Sequence, residues 1–433
     1  MIHFRAGQTD GVSLEMEKIT KVLTQLGHEV FLCVGDPGFL KTSNVYVLPD
    51  LDFRSPLIRT LRKELFEDKV PCVEEGIKHQ IEELAHRVEE GVRSFIRANS
   101  IDILIVHNLF SLPLNPPASI GVWECIKNEH VPAIGWHHDF FWEKEGYTPS
   151  CPWVMDLLAR FFPPRSPKLL HVVINSLTQK RLAREGIFAT VIPNVFDFDQ
   201  PIPSRNAQVA ETLGISLSEV IFLQATRIVP RKGIEIAVEL LYVLSSPKYK
   251  RALQKFVRSR GGLGPVFPVL LLPNLVDDVS YCEALRRRIE QRGIDARFLQ
   301  EEVGQKVSFW EVYGCADFVT YPSLQEGWGN QFLEAVWAKK PIAVFEYPVF
   351  RADIAPIGFR YISLGHTYSR DAEGLAKVPQ EILRRAAEEV ATLLMSPLQY
   401  KTFVDHNYNL AKNRLSLNTL EVHLEQLLAT AHA

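Results

Sequence analysis

Short, unbroken apolar runs alternate along the chain with stretches whose apolar positions recur every three to four residues. Residues 30–34, 103–106, 133–136 and 172–174 are runs of the first kind, and 14–26 and 77–96 are stretches of the second. The alternation lapses and then restarts, with further runs at 221–224, 269–272, 318–320 and 342–345. A strand that is apolar on both sides has to be covered on both faces, so such runs separated by helices predict parallel sheets flanked by helices. Two successive series predict two doubly wound α/β domains. The lapse falls at 193–214, PNVFDFDQPIPSRNAQVAETLG, where proline, asparagine and acidic residues displace any period. A second interruption, rich in glycine and proline at 261–268, predicts a loop inside the second domain. From about residue 379 the chain reads as helix only, with 415–428 its final amphipathic stretch.

Length agrees with this division, since 433 residues exceed what one core serves and suit two domains of roughly 200 residues each. A formal net charge of −3 supplies no basic excess, which argues against nucleic acid as a partner. The six cysteines, Cys33, Cys72, Cys125, Cys151, Cys282 and Cys315, are scattered with no CxxC pair. That spacing predicts reduced thiols rather than a disulfide framework or a zinc site. The N-terminus has no basic-then-apolar leader, and no run reaches the ~18 apolar residues of a membrane span. The expectation is a cytoplasmic protein without integral membrane association, and a homo-oligomer is compatible with it. Residues 57–97 are helical in period, but their basic residues are interleaved with Glu64, Glu67, Glu74, Glu75, Glu82, Glu83, Glu89 and Glu90. A mixed face of this kind is a solvated one, so the expected partner is a soluble molecule rather than a lipid surface.

The stretch richest in chemistry is YPSLQEGWGNQFLEAVWAKKP, from Tyr321 to Pro341. A strand ends, a loop with Gly327 and Gly329 follows, and a helix begins near Gln331. In an open parallel sheet that is where ligands bind. The N–H groups of Asn330, Gln331 and Phe332 at the helix start suit phosphate or sugar oxygens. Glu326 and Glu334 flank this start; alternatively Glu334 only complements the helix dipole and Glu326 is a solvated loop acid. In ATRIVPRKGIEIAVEL, from Ala225 to Leu240, Arg227 and Lys232 leave another strand end and could neutralise a diphosphate. Arg231 between them reads as a surface cation. Gly7 and Gly11, in GQTDGVSLE, mark a strand-to-helix turn that lacks the GxGxxG spacing. His107-Asn108 and Trp136-His137-His138-Asp139 follow buried strands. A histidine there could bond a sugar hydroxyl or be a packed residue paired with Asp139. The alternation of side chains along a strand argues against a zinc site from His137, His138 and Asp139.

Glu326-Gly-Trp-Gly-Asn-Gln-Phe-Leu-Glu334 resembles the E-x7-E signature of the family 4 retaining glycosyltransferases, and Arg227-x4-Lys232 resembles their basic pair. Val191-Ile-Pro-Asn194 is similar to the segment that closes the first domain in that family, and Val173-Ile-Asn-Ser176 to the strand end before it. The resemblance spans nearly the whole chain. It implies the GT-B architecture, two Rossmann-like domains facing across a cleft, divided as 1–193 and 194–415, with 416–433 crossing back onto the first. It implies that Arg227 and Lys232 hold a donor diphosphate, that Glu334 holds the nucleotide ribose, and that Glu326 lies near the donor hexose. Asn330 and Gln331 would contact hexose or phosphate through their amides, Gly11 would close over the diphosphate, and His138, or else His137, would contact the hexose. Two departures stand out. Asn330-Gln331 occupies a place where many relatives carry Leu-Pro or a small residue, and Asp10-Gly11 replaces the usual double glycine.

The expected function is retaining transfer of an α-linked hexose from a nucleoside-diphosphate sugar, UDP-glucose or GDP-mannose, to a hydroxyl of a small soluble acceptor. No metal or cofactor is expected beyond the donor. The rival readings are a non-catalytic nucleotide-sugar-binding protein of the same fold and a phosphorylase of similar architecture.

Overall fold

The computed structural model describes residues 1–8, 10–40, 42–66 and 74–431. The chain divides into two compact units, Met1–Asn194 with Leu417–Ala433, and Val195–Ser416. Each is a parallel sheet with helices on both faces, as the alternating pattern predicts, and the pair is of the GT-B type that the resemblance implies.

In the first unit the strands are β1 (Ile2–Arg5), β2 (Leu32–Asp36), β3 (Val45–Val47), β4 (Leu104–His107), β5 (Ala133–His137), β6 (Leu169–Val173) and β7 (Ala189–Val191). They lie in the order β3-β2-β1-β4-β5-β6-β7, every pair parallel. β4 and β5 are buried at every position, as two-sided coverage requires. Helices Glu74–Ala98 and Pro116–Glu129 pack on one another, and Val88, Val92, Phe95, Val122 and Ile126 join Ile2, Phe4, Leu104 and Val106 in one apolar cluster. The helical stretch expected over 57–97 is two helices, Pro56–Phe66 and Glu74–Ala98. Glu67 and Cys72 lie between them, outside the described residues. The last helix, Leu417–Ala431, belongs to this unit and packs on Gly11–Gln25.

The second unit holds β8 (Glu219–Leu223), β9 (Phe267–Leu272), β10 (Asp295–Phe298), β11 (Phe318–Tyr321), β12 (Ile342–Val344) and β13 (Ile362–Ser363). The order is β10-β9-β8-β11-β12-β13, again all parallel. Its core joins Phe222, Leu270, Leu272 and Phe318 of the sheet to Leu240, Leu241 and Leu244 of helix Ile234–Leu244 and to Ala386, Ala387 and Val390 of helix Gln380–Met395. A small antiparallel hairpin, β14 (Ser369–Arg370) with β15 (Ala376–Lys377), lies outside that sheet. Among the described residues no helix is long and apolar enough to cross a membrane.

Candidate functional site

In the second unit the strand order reverses between β8 and β11, and the crevice beyond the carboxyl ends of such a pair is where open sheets bind ligands. The loops leaving these two strands carry the residues singled out above. Gly233 closes the turn Pro230–Lys232 with φ of 55°, and a Cβ there would come within 2.5 Å of the Pro322 carbonyl oxygen. Its bare backbone therefore lets the two loops meet. Leu324 N donates to Arg231 O at 2.8 Å, fixing the approach. Lys232 Nζ then donates to Glu326 Oε1, and Arg231 Nη1 donates to Glu326 Oε2 at 3.0 Å.

Lys232 and Glu326 are both largely withdrawn from water, with side chains 11% and 12% exposed. Burial would raise the Glu326 carboxyl, but Lys232 and Arg231 outweigh it and hold the group below its ordinary range. Burial lowers Lys232, and the charges of Glu326 and Glu334 oppose that lowering. The two shifts pull the pair in opposite senses. We take it as ionised, because Glu326 faces two cations at hydrogen-bond distance. Arg231, dismissed on sequence as a surface cation, is thus part of the cluster. Arg227 is turned to another partner, its Nη1 3.0 Å from Asp277 Oδ2.

Glu334 lies on helix Asn330–Trp337, whose N-cap Gly329 offers no side chain to satisfy the first amides. The Tyr313 hydroxyl donates to Glu334 Oε2 at 2.6 Å. Burial, and then the Glu334 charge, keep that phenol protonated, well above its usual pKa. Gln331 is buried with Nε2 on the Thr320 carbonyl at 3.3 Å, and the Phe332 ring packs on Phe350 and Phe359. These two can therefore reach a ligand only through their backbone. The structure so gathers Lys232, Glu326 and Glu334 at one strand-end crevice.

In the first unit the reversal lies between β1 and β4. Gly11 opens helix Gly11–Gln25, but the Asp10 carboxylate already accepts from the amides of Val12 (3.2 Å) and Ser13 (3.3 Å). Asp10 Oδ2 also lies 3.3 Å from Arg5 Nε. An anion of the chain itself therefore caps the Val12 and Ser13 amides of this helix start, leaving the Gly11 amide outside that cap. Beyond β4, Asn108 adopts a positive φ of 57°, a conformation asparagine tolerates better than most residues and one that recurs at functional sites. Its Oδ1 accepts from His138 N at 2.7 Å.

The histidines form two buried pairs. His107 Nδ1 lies 3.1 Å from His138 Nε2, and His137 Nε2 lies 3.0 Å from His171 Nδ1. A Cβ on Gly135 would meet His137 Cε1 at 3.0 Å, so the ring of His137 lies back against its own strand. His138 points to the other side, as residues adjacent on a strand must. The alternative of a packed histidine paired with Asp139 is not what the structure holds, since Asp139 pairs with Lys144 at 2.8 Å and His138 pairs with His107. Burial pushes His138 down to about 3, with His3 adding to the effect and Asp139 opposing it. Burial likewise holds His107 and His137 well below their ordinary value and His3 and His171 at about 4. All five rings are neutral at physiological pH. His3 and His171 were missed on sequence, although each stands on a strand of the same parallel set. A cavity of about 690 Å³ in this unit runs along the flank of helix Gly11–Gln25, past Met16, Thr20 and Thr24, and reaches none of these histidines. Among the described residues no group of three or more His, Cys, Asp or Glu is placed to hold a metal ion, and Cys33, Cys125, Cys151, Cys282 and Cys315 are unpaired thiols.

No protein-family profile matches the chain. Over 430 residues it is 37% identical to mannosylglucosylglycerate synthase of Thermotoga maritima, with 97% of each chain covered. The chain belongs to the mannosylglucosylglycerate synthase family. A second member, from Petrotoga mobilis, is 35% identical over 430 residues, with 95% of this chain and 97% of the relative covered. As a member of that synthase family the chain is a glycosyltransferase, which decides against the binding-protein and phosphorylase readings. Among solved structures, sucrose-phosphate synthase from Thermosynechococcus elongatus superposes with a TM-score of 0.64 at 13% identity, covering 98% of this chain and 94% of that one. Anabaena HepE in complex with UDP-glucose superposes with a TM-score of 0.62 at 15% identity, covering 99% and 100%. At such identities the likeness speaks for the fold.

Proposed function

We propose that the chain transfers a mannosyl group from GDP-mannose to a hydroxyl of glucosylglycerate, with retention of the donor's α configuration. The relatives' name supports the sugar and the acceptor, being that of a mannosyl group carried on a glucosylglycerate. The observation that carries the chemistry is the cation cluster, Lys232 and Arg231 gathered on Glu326 at the strand reversal of the second sheet. A diphosphate entering that crevice would take over the cations, and their charge would favour its departure from the anomeric carbon. Glu326, released from them, would accept from hexose hydroxyls, and Glu334 from the ribose. Arg227, on exchanging Asp277 for phosphate, would add a bidentate contact. His138 would meet the hexose, and the amides of Asn330, Gln331 and Gly11 would contact donor oxygens.

No protein nucleophile is assigned beneath the anomeric carbon. The acceptor oxygen attacks from the face the phosphate vacates, and the departing phosphate oxygen takes the acceptor's proton. Positive charge comes from the side chains, so we assign no metal or further cofactor, and we place the enzyme in the cytoplasm with its soluble substrates. The test pairs GDP-mannose and UDP-glucose in turn with glucosylglycerate and reads the first-formed product by proton NMR. An α-mannosyl product from GDP-mannose, formed equally in EDTA, is expected. A β-linked product would overturn retention, loss of activity in EDTA would overturn the metal assignment, and turnover with UDP-glucose alone would overturn the donor.

A further inference from the structure

The rings of His3, His107 and His138 form a hydrogen-bonded series whose proton positions can be worked out from their partners. His3 Nδ1 lies 2.8 Å from the His107 carbonyl oxygen. A carbonyl only accepts, so His3 carries its proton on Nδ1. One proton must likewise lie between His107 Nδ1 and His138 Nε2, which are 3.1 Å apart in rings whose centroids lie 5.4 Å apart and whose planes are inclined by only 23°, edge to edge as an in-plane hydrogen bond requires. If His138 held it, neutral His107 would carry its own proton on Nε2. That nitrogen is buried and has no hydrogen-bond partner among the described residues. An orphaned N–H is a costlier fault than an orphaned lone pair, as the rarity of the former in buried backbone shows. The proton therefore belongs on His107 Nδ1. His138 Nε2 accepts it, and the ring proton of His138 is left on Nδ1.

We propose that His107, held in turn by His3 against its backbone carbonyl, is a positioning residue that fixes His138 as an Nδ1–H donor toward the substrate. His107 is fully buried, whereas His138 keeps 6% of its surface, so the first is placed to orient and the second to touch. The backbone supports the same arrangement, because Asn108, the residue after His107, holds the amide of His138. The proposal rests on the reading that His138 meets the donor's hexose. It goes beyond that reading by assigning the tautomer and the residue that imposes it.

Nitrogen-15 NMR of the full-length protein, labelled at histidine, reads the tautomer directly. Protonated Nδ1 and unprotonated Nε2 at His138 are expected, and the reverse assignment would overturn the proposal. Kinetics test the consequence. His107→Phe removes the donor and should lower kcat/KM roughly 10-fold or more, the scale of coupling within one hydrogen-bonded network. His107→Asn keeps an amide donor near the place of Nδ1 and should recover most of that loss. In a His138→Ala background, His107→Phe should cost nothing further, because its effect passes through His138. Multiplicative losses in the double variant, or full activity in His107→Phe, would overturn the positioning role alone. Normal turnover by His138→Ala would instead remove the hexose contact on which it rests.

Discussion

Lys232 and Glu326 are 94 residues apart in sequence, and each is costly to bury without the other. Removing one member of such a pair leaves an uncompensated charge and destabilises by about 3–5 kcal/mol. We expect Glu326→Gln to lose stability on that scale in urea denaturation, with part of it restored by GDP, whose phosphates offer Lys232 a new partner. The pH dependence has a definite sign. Glu326 is held below its unfolded value of 4.5, so its stabilisation is present above that value and is lost as pH falls through the lower, folded one. Urea midpoints measured from pH 6 downward should fall for the wild type at the acid end and flatten in Glu326→Gln; parallel curves would count against the pair. Lys232→Ala should raise the barrier by ~2.7–4 kcal/mol, the usual cost of one lost preorganised contact to a developing charge. Arg231→Ala removes a half-exposed partner and should cost stability less than about 1 kcal/mol. Unchanged turnover in Lys232→Ala would sink the diphosphate role. Glu326, Glu334 and Lys232 were legible because a glycine-bearing loop after a strand constrains what chemistry can stand there. Arg231 was not, because a loop cation's partner is chosen by the fold and leaves no local mark. The His107–His138 pair was missed for the same reason: sequence offered Asp139 as the neighbour, and the sheet supplied His107 from the adjacent strand.

The elements show a similar division between local and distant causes. β4, β8, β9 and β11 sit inside their sheets, buried on both faces, and stand out as unbroken apolar runs. β3, β10 and β13 lie at sheet edges, are two to four residues long, and are not buried throughout. β10 and β13 carry no hydrophobic run of their own and β3 is only three residues long, so periodicity does not announce them. Helix Gly11–Gln25 has a start that sequence does mark, Asp10 before an amphipathic period, but the glycine beside it drew the reading toward phosphate. The cap supports a stability prediction. Asp10→Ala should cost about 0.5–2 kcal/mol, the range for a lost N-cap, while Asp10→Asn should retain most of it. Burial would raise Asp10, yet Arg5 and Ser13 hold it below its ordinary value, so its share too is present at neutral pH and lost in acid. Equal stability of Asp10→Ala and wild type by thermal melts would show that the cap carries nothing.

At the scale of the molecule, each unit has a hydrophobic cluster of its own, one around Val88, Phe95 and Val106, the other around Phe222, Leu240 and Leu270. Two cores of this kind need not unfold as one, so a single melting temperature is a poor measure of the chain. Hydrogen exchange followed by peptide separates the units and locates the nucleotide in the same measurement. The side chains assigned to the diphosphate and ribose, Arg227, Lys232 and Glu334, all belong to Val195–Ser416. A ligand that binds only the folded form stabilises it by RT ln(1 + [L]/Kd), ~2.7 kcal/mol at 100 times Kd, and that is about a hundredfold in any opening equilibrium that releases it. GDP at that concentration should therefore slow exchange by up to about 100-fold at the slowest amides of β8 and β11, which open only when the whole unit does. Peptides carrying Arg227 to Gly233 and Glu326 to Asn330 should slow as well, because the ligand touches them directly. UDP at the same concentration should do less if the donor is GDP-mannose. Protection confined to Met1–Asn194 would place the nucleotide in the wrong unit, and equal protection by UDP would remove the preference for guanosine while leaving the diphosphate site standing.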